Sequence, residues 1–434
     1  MRWLLIGYMF LFIDRPFEVW PWLGDLHIER FYMLLTLAVW AVSPSKRFLP
    51  NAQHLAYAAF GTAVLACWAM SPWASQAQPV VENWLKILVF YVLLVTSVHD
   101  EDGLRHVAIG FVVVMGLYMA HSFREYLGGR HTHRMGISRM VGVDSSLGDP
   151  NSFAASIVFA LPFAAAFWRA GVWGRAGRWL LVCYVGLSSM CVLLTGSRGG
   201  LLALLLWFGI VIYSHPRRWT FLAAFLVAAP LAFLALPGSL QTRFETIIDP
   251  DVGPANAKES GEGRIQGFLT GLELWAANPL NGVGPGAWRP ATRRSIEAHN
   301  LFGQLLGETG TLGAVSFAAI LAGFWVNWSA VRKVRRRVPE WRDDLVFQVA
   351  GAATTGVFLL LFMGNFGHNL FRFSWVWYGG FLIIARHCIH RRLVTGSHDP
   401  LPEEPEEDET PPPDGWVEHD AHPAAGHGPF AAAR

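Results

Sequence analysis

The sequence predicts an all-α polytopic membrane protein of about twelve transmembrane helices, with a large periplasmic loop carrying short amphipathic helices. Three observations carry that expectation. Of 434 residues, 53% are hydrophobic and 15% are charged, against roughly a quarter charged in an ordinary soluble domain. Many windows approach the ~20 mostly apolar residues that cross a bilayer's hydrocarbon core. Lys and Arg are concentrated in alternate connections, the pattern left by loops that face opposite sides of a membrane. Soluble multidomain folds are excluded.

Spans are expected at about 2–13, 31–43, 54–70, 84–98, 104–121, 151–168, 179–195, 200–213, 219–236, 309–330, 345–363 and 373–386. The stretch from Trp179 to Tyr213 contains a single charge, Arg198. As one helix it would be ~52 Å long at 1.5 Å per residue, so it must turn back, and Gly196, Gly199 and Gly200 mark where. The order implies four regions: N-terminal spans over 1–236, a periplasmic catalytic loop over 237–308, C-terminal spans over 309–392, and a tail over 393–434.

With the N-terminus inside, the cytoplasmic segments hold 18 Lys and Arg and the short outer turns hold five. That places both termini in the cytoplasm. Two longer outer loops, 122–150 and 237–298, hold ten more, which topology alone does not explain. The tail from His398 carries ten acidic residues and one Arg, so the remainder has a net charge of +11, suited to anionic head groups or a phosphate-bearing substrate. Its prolines and acids read as disorder. Cys67, Cys183, Cys191 and Cys388 lie in or beside apolar segments, so neither disulfides nor a CxxC metal site is expected. The N-terminus lacks a small-residue cleavage site and reads as an uncleaved first span.

Thr195-Gly-Ser-Arg-Gly-Gly200 places an arginine between two apolar helices, where an ionisable group either snorkels to head groups or does a job. The glycines would let backbone approach a ligand closely. Ser260-Gly-Glu-Gly-Arg264 precedes apolar residues at Ile265, Phe268, Leu269, Leu272 and Trp275, the spacing of an amphipathic helix lying against the membrane domain. Arg264 is expected in its first turn, where free amides and a guanidinium would make a phosphate site; a pair with Glu262 is the alternative. Gly282-Val-Gly-Pro-Gly286 lacks nucleotide-loop spacing and reads as a tight turn. His299 is a candidate general base, since an imidazole of pKa about 6.5 is largely neutral near pH 7, although a lone His is more often a structural hydrogen bonder. Glu308 lies near the opposite face of an uninterrupted helix, a geometry that Gly307 and Gly310 could break. His131-Thr-His133 offers two metal ligands without a third. Arg130, Arg134 and Arg139 suit either an anionic lipid or a solvated surface, Asp149-Pro-Asn151 looks like a turn into a helix, and His368 with Arg372 reads as a head-group anchor.

Three segments resemble the bacterial O-antigen ligase and polymerase superfamily: TGSRGG at 195–200, NPLNGVGPGAW at 278–288 and AHNLFGQLLGETGTLG at 298–313. The resemblance implies a periplasm-facing enzyme that moves a glycan from undecaprenyl diphosphate to an acceptor hydroxyl, with no cofactor or metal and with inversion at the anomeric carbon. His299, Arg264 and Arg198 would be catalytic, the two arginines also holding the diphosphate. Arg293, Arg294, Asn300 and Glu308 are added as substrate-binding residues. A lipid A core sugar or another glycan would be the acceptor, the first making a ligase and the second a polymerase. A solute or anion transporter is the rival from another class, and it would place broken or charged helices near mid-membrane.

Overall fold

A computed structural model describes residues 1–395 apart from 135–136, 146–147, 250–251, 253–255 and 295. The tail expected to be disordered lies, from residue 396, outside the described residues. The helices in order are α1 (Arg2–Ile13), α2 (Pro16–Val19), α3 (Pro21–Asp25), α4 (Ile28–Val42), α5 (Gln53–Ala69), α6 (Ala74–Ser97), α7 (Glu101–Leu127), α8 (Pro150–Ala170), α9 (Gly174–Leu194), α10 (Arg198–Ser214), α11 (Arg218–Leu234), α12 (Gly238–Glu245), α13 (Asn256–Ala277), α14 (Trp288–Thr292), α15 (Leu301–Arg337), α16 (Leu345–Gly364) and α17 (Ser374–Thr395). An antiparallel hairpin, β1 (His131–Arg134) with β2 (Ile137–Met140), interrupts the α7–α8 connection. The sequence reading had no strand there.

A helix covers each of the twelve expected intervals. Among the described residues six helices are long and apolar enough to cross a membrane, namely α6, α7, α8, α9, α15 and α16, while α10 and α11 are shorter apolar helices. The largest boundary differences are α6, which starts at Ala74, and α15, which joins the end of the expected loop to the following span. The turn between α9 and α10 falls at Thr195–Ser197, where the sequence required it.

α8 is the axis of the bundle, buried along nearly its whole length. Its alanines at 154, 155, 160 and 164 let α16, α9, α10 and α7 come close, as small residues do where lipid supplies no hydrophobic drive between helices. Aromatic rings fill the adjoining core: Trp377 lies 4.4 Å from Phe90 and 4.5 Å from Phe373 between ring centroids. Polar side chains tie the helices inside it. Asn327 of α15 donates to Gln53 of α5 at 2.6 Å and accepts from Arg386 of α17 at 2.6 Å. At the end of the bundle away from residues 195–200, Arg392 pairs with Glu101 and, at 2.8 Å, with Asp344. α11 buries none of its residues and stands at the edge against α10.

Candidate active site

The turn after α9 is built by its own side chains. Thr195 Oγ1 donates to Val192 O at 2.6 Å and accepts from Ser197 N at 3.1 Å, while Ser197 Oγ caps α10 by accepting from Gly200 N at 3.2 Å. Gly196 has φ 58°, a left-handed value that suits glycine. Two guanidiniums clamp the carbonyl end of α9, where the helix dipole favours cations: Arg139 Nε donates to Thr195 O at 2.7 Å and Arg243 Nε to Gly196 O at 2.6 Å. Arg139 is buried, which corrects the reading of it as a solvated or lipid-facing residue. Gly199 and Gly200 approach protein, not open space: added β-carbons would press on Phe366 and on Ala154 of α8. Arg198, at the first position of α10, donates to Thr246 Oγ1 at 3.1 Å.

α13 differs from expectation in two ways. It starts at Asn256, about two turns before Arg264, so the free amides of its terminus do not surround that residue. The first part of its apolar stripe is also exposed, Ile265 by 67% and Leu269 by 45%, while Leu272 and Trp275 are half-buried. The helix packs through Gly267, Thr270 and Gly271 against Gly303 and Gly307 of α15, so two glycine pairs of four-residue spacing let the backbones touch. A β-carbon at Gly271 or Gly303 would meet the other helix's backbone, which cannot rotate aside. Gly271→Ala and Gly303→Ala are therefore expected to destabilise by about 1–3 kcal/mol each, read as a lower melting temperature in detergent. Gly263→Ala, with open space around it, should be neutral or stabilising; equal melting of all three variants would remove this account of the helix contact.

The glycine loop and α15 form one unit. α15 is broken at Gly310, whose φ 59° and ψ −157° interrupt the helical ladder. Backbone groups freed by a break must find partners, most of all within a membrane, and residues 279–284 supply them. Val283 N donates to Gly307 O and Gly284 N to Glu308 O, both at 2.9 Å, while Thr311 N donates to Pro279 O at 2.9 Å and Leu312 N to Leu280 O at 3.1 Å. Gly282 and Gly284, at φ 62° and 108°, allow the loop to lie this close. The turn reading of these glycines agrees with this, and the structure adds what the turn serves. Glu308, fully buried, accepts from Gly286 N at 2.9 Å and from Gln304 Nε2 at 3.3 Å.

Arg264, Arg198 and His299 gather around residues 366–368. The Arg264 guanidinium lies over the Phe366 ring, 5.0 Å from its centroid, and Phe366 also abuts Gly199 beside Arg198. Burial, followed by the charge of Arg198, pushes Arg264 down to about 10, so the two cations sense each other in a partly dehydrated place. Side chains at 256–262, and with them the Glu262 alternative, lie outside the described residues. His299 is half-buried with φ 46°, a left-handed conformation that a residue with a β-carbon rarely adopts. Such outliers gather at functional sites. Its ring lies 5.6 Å from that of His368.

Not every sequence candidate joins them. Asn300 caps α15, accepting from Phe302 N and Gly303 N at 3.0 Å, and Glu308 braces the glycine loop. Arg293 and Arg294 are exposed where α14 ends. His131 and His133 sit on β1, 5.3 Å apart between ring centroids, and among the described residues no three His, Cys, Asp or Glu side chains form a potential metal cluster.

The head-group-anchor reading is overturned for Arg372, while His368 is half-buried with its Nδ1 enclosed. Arg372 is 3% exposed and donates to Asn369 Oδ1 at 3.1 Å, Ser156 Oγ at 2.8 Å and Ser152 O at 3.1 Å. Burial pushes His368 down to about 4, and the charges of His299, Arg372 and Arg289 add to it while Asp149 opposes. Its imidazole is therefore neutral near pH 7. Arg139, Arg243, Asp149 and His368 are the neighbours that sequence reading did not assign to the site. The excess of arginine in the two long outer loops was the one signal that pointed toward the first two.

These features define a multi-pass helical membrane protein with arginine and histidine side chains brought together beside a broken helix. Residues 183–318 match the family described as O-Antigen ligase, a stretch holding all three motifs and Arg198, Arg264 and His299. This supports the superfamily resemblance and implies an enzyme of the glycosyltransferase or ligase type. No curated protein matches the chain.

Proposed function

We propose that this protein is an O-antigen ligase-like glycosyltransferase that transfers a glycan from undecaprenyl diphosphate to an acceptor hydroxyl on the periplasmic face. The observation that carries the reading is the convergence of Arg264, which lies over Phe366, and of the turn bearing Arg198, whose Gly199 abuts the same ring, on the loop that also meets His299. Two guanidiniums on one site offer a diphosphate paired, charge-assisted hydrogen bonds. The lipid portion has a path as well. An apolar groove of about 580 Å³ between α8, α9, α10 and α11 runs past Leu201, Leu205, Phe208 and Ile212, beginning one turn beyond Arg198.

In the proposed reaction the acceptor O–H bond breaks and its proton passes to a His299 ring nitrogen. The oxygen bonds to the anomeric carbon as that carbon's bond to phosphate breaks, with inversion, and the diphosphate leaves with the electron pair and the added charge. Stabilising that charge and removing one proton are the main requirements, and two Arg and one His meet them without a metal.

The test is reconstitution of the full chain with undecaprenyl-diphosphate-linked glycan and either a lipid A core acceptor or a second glycan. Product on the lipid A core makes the protein a ligase, which we favour; chain elongation makes it a polymerase. Transfer is expected to survive prolonged EDTA treatment. Absence of transfer to either acceptor overturns the reading, and EDTA-sensitive transfer restored by a divalent ion overturns the metal-independent mechanism.

A further inference from the structure

His368 lies on the connection between α16 and α17, beyond the stretch that matches the O-Antigen ligase family. Its ring adjoins His299 with the planes inclined at 51°. Among the described residues its Nδ1 is buried without a hydrogen-bond partner. An unsatisfied buried polar atom costs about 1–3 kcal/mol, which suggests a partner that arrives during the reaction. The connection is rigidly held: Asn369 Oδ1 accepts from Arg372, Asn369 O accepts from Trp375 Nε1 at 2.8 Å, and Leu370 N donates to Gln304 Oε1 at 3.4 Å.

Asp149, at the N-terminus of α8, is near enough for its charge to act on His368, without a hydrogen bond or ion pair between the two. Its Oδ1 accepts from Asn151 N at 3.1 Å and Ser152 N at 3.3 Å. Burial disfavours its ionisation, but the Ser152 hydrogen bond and the charges of His368 and Arg372 prevail and hold the carboxyl below its ordinary range. Among the described residues the charged and titratable groups acting on His368 are Asp149 at α8, His299 just before α15, Arg372 before α17 and Arg289 of α14.

We propose that His368 is a positioning residue for His299: its imidazole, beside the His299 ring and within the field of the Asp149 carboxylate, steadies the positive charge that His299 gains with the acceptor's proton. The inference rests on His299 being the base of the proposed transfer. His368 exchanges no proton. It accepts a hydrogen bond from the His299 imidazolium, and the anion behind it favours that charge. A cationic side chain in its place would oppose the same step.

The experiment uses full-length protein in proteoliposomes and two readouts. One is transfer as a function of pH; the other is the rate at which diethyl pyrocarbonate labels His299 as a function of pH, followed by peptide mass spectrometry. His368→Ala should lower kcat about 10²-fold with KM little changed. It should move both the acid limb of transfer and the His299 labelling midpoint to lower pH. His368→Asn, which keeps an acceptor oxygen, should recover about tenfold of the loss. Asp149→Asn preserves the helix cap while removing the charge, and it should move the midpoint the same way even if His368→Ala does not accumulate. A midpoint unchanged in these variants overturns the inference, and a purely structural role would produce that result together with reduced protein level. Labelling needs no turnover, so a wild-type protein that transfers nothing refutes the functional reading while leaving this coupling measurable.

Discussion

Replacing His299 with alanine is expected to slow glycan transfer per molecule by about 10²- to 10⁴-fold, the span associated with losing a positioned proton acceptor. The residue stands just before the cap of α15, and Asn300 supplies that cap through its own side chain. Removing the imidazole therefore leaves that cap in place. Membrane insertion should also be unchanged, because the apolar spans that direct it are untouched. Transfer by the wild type should fall as pH drops below the range in which His299 is neutral, since a protonated base accepts nothing. A structural histidine predicts the reverse balance, with protein level falling more than activity per molecule. Near-normal transfer by His299→Ala in reconstituted membranes would remove this residue from the chemistry.

Arg198→Ala and Arg264→Ala should each slow transfer roughly 10²- to 10³-fold, by analogy with loss of one donor to the developing charge of a transition state. Arg→Lys should be harmful at both positions, because an ammonium cannot reproduce the paired, planar hydrogen bonds of a guanidinium. A snorkelling Arg198 would tolerate lysine, and an Arg264 serving only surface packing would tolerate alanine. The depression of Arg264 by burial and by Arg198 adds a measurement that needs no turnover. Inorganic pyrophosphate should raise the melting temperature of the wild type and do so much less in Arg264→Ala. Equal stabilisation of the two proteins would mean that the anion is held elsewhere.

The spans were legible because crossing a bilayer demands a long run of apolar residues, a property written locally in the chain. The reversal at 195–200 was legible for a related reason, since no membrane accommodates an uninterrupted helix from Trp179 to Tyr213. Arg198, Arg264 and His299 stood out because charges and a histidine flanking apolar helices are costly unless they have partners or tasks. Residue types at single positions were sufficient for those inferences.

Tertiary structure decided what these residues touch. The sequence shows Gly282 and Gly310 as separate turn signals, but only the fold reveals residues 279–284 hydrogen-bonding the two sides of a broken α15. Hydrophobic spacing in α13 points to Ile265, Phe268, Leu269, Leu272 and Trp275 as its packing face; the first three are exposed and the helix makes close backbone contact with α15 through Gly267 and Gly271, where small residues permit it. Arg372 and His368 were read as surface groups since nothing near them in the chain announces Ser152, Ser156 or Asp149, more than 200 residues away. Hydropathy is a property of each segment, whereas hydrogen-bond partners, close helix approach and dehydration arise between segments, and only the folded chain brings those together.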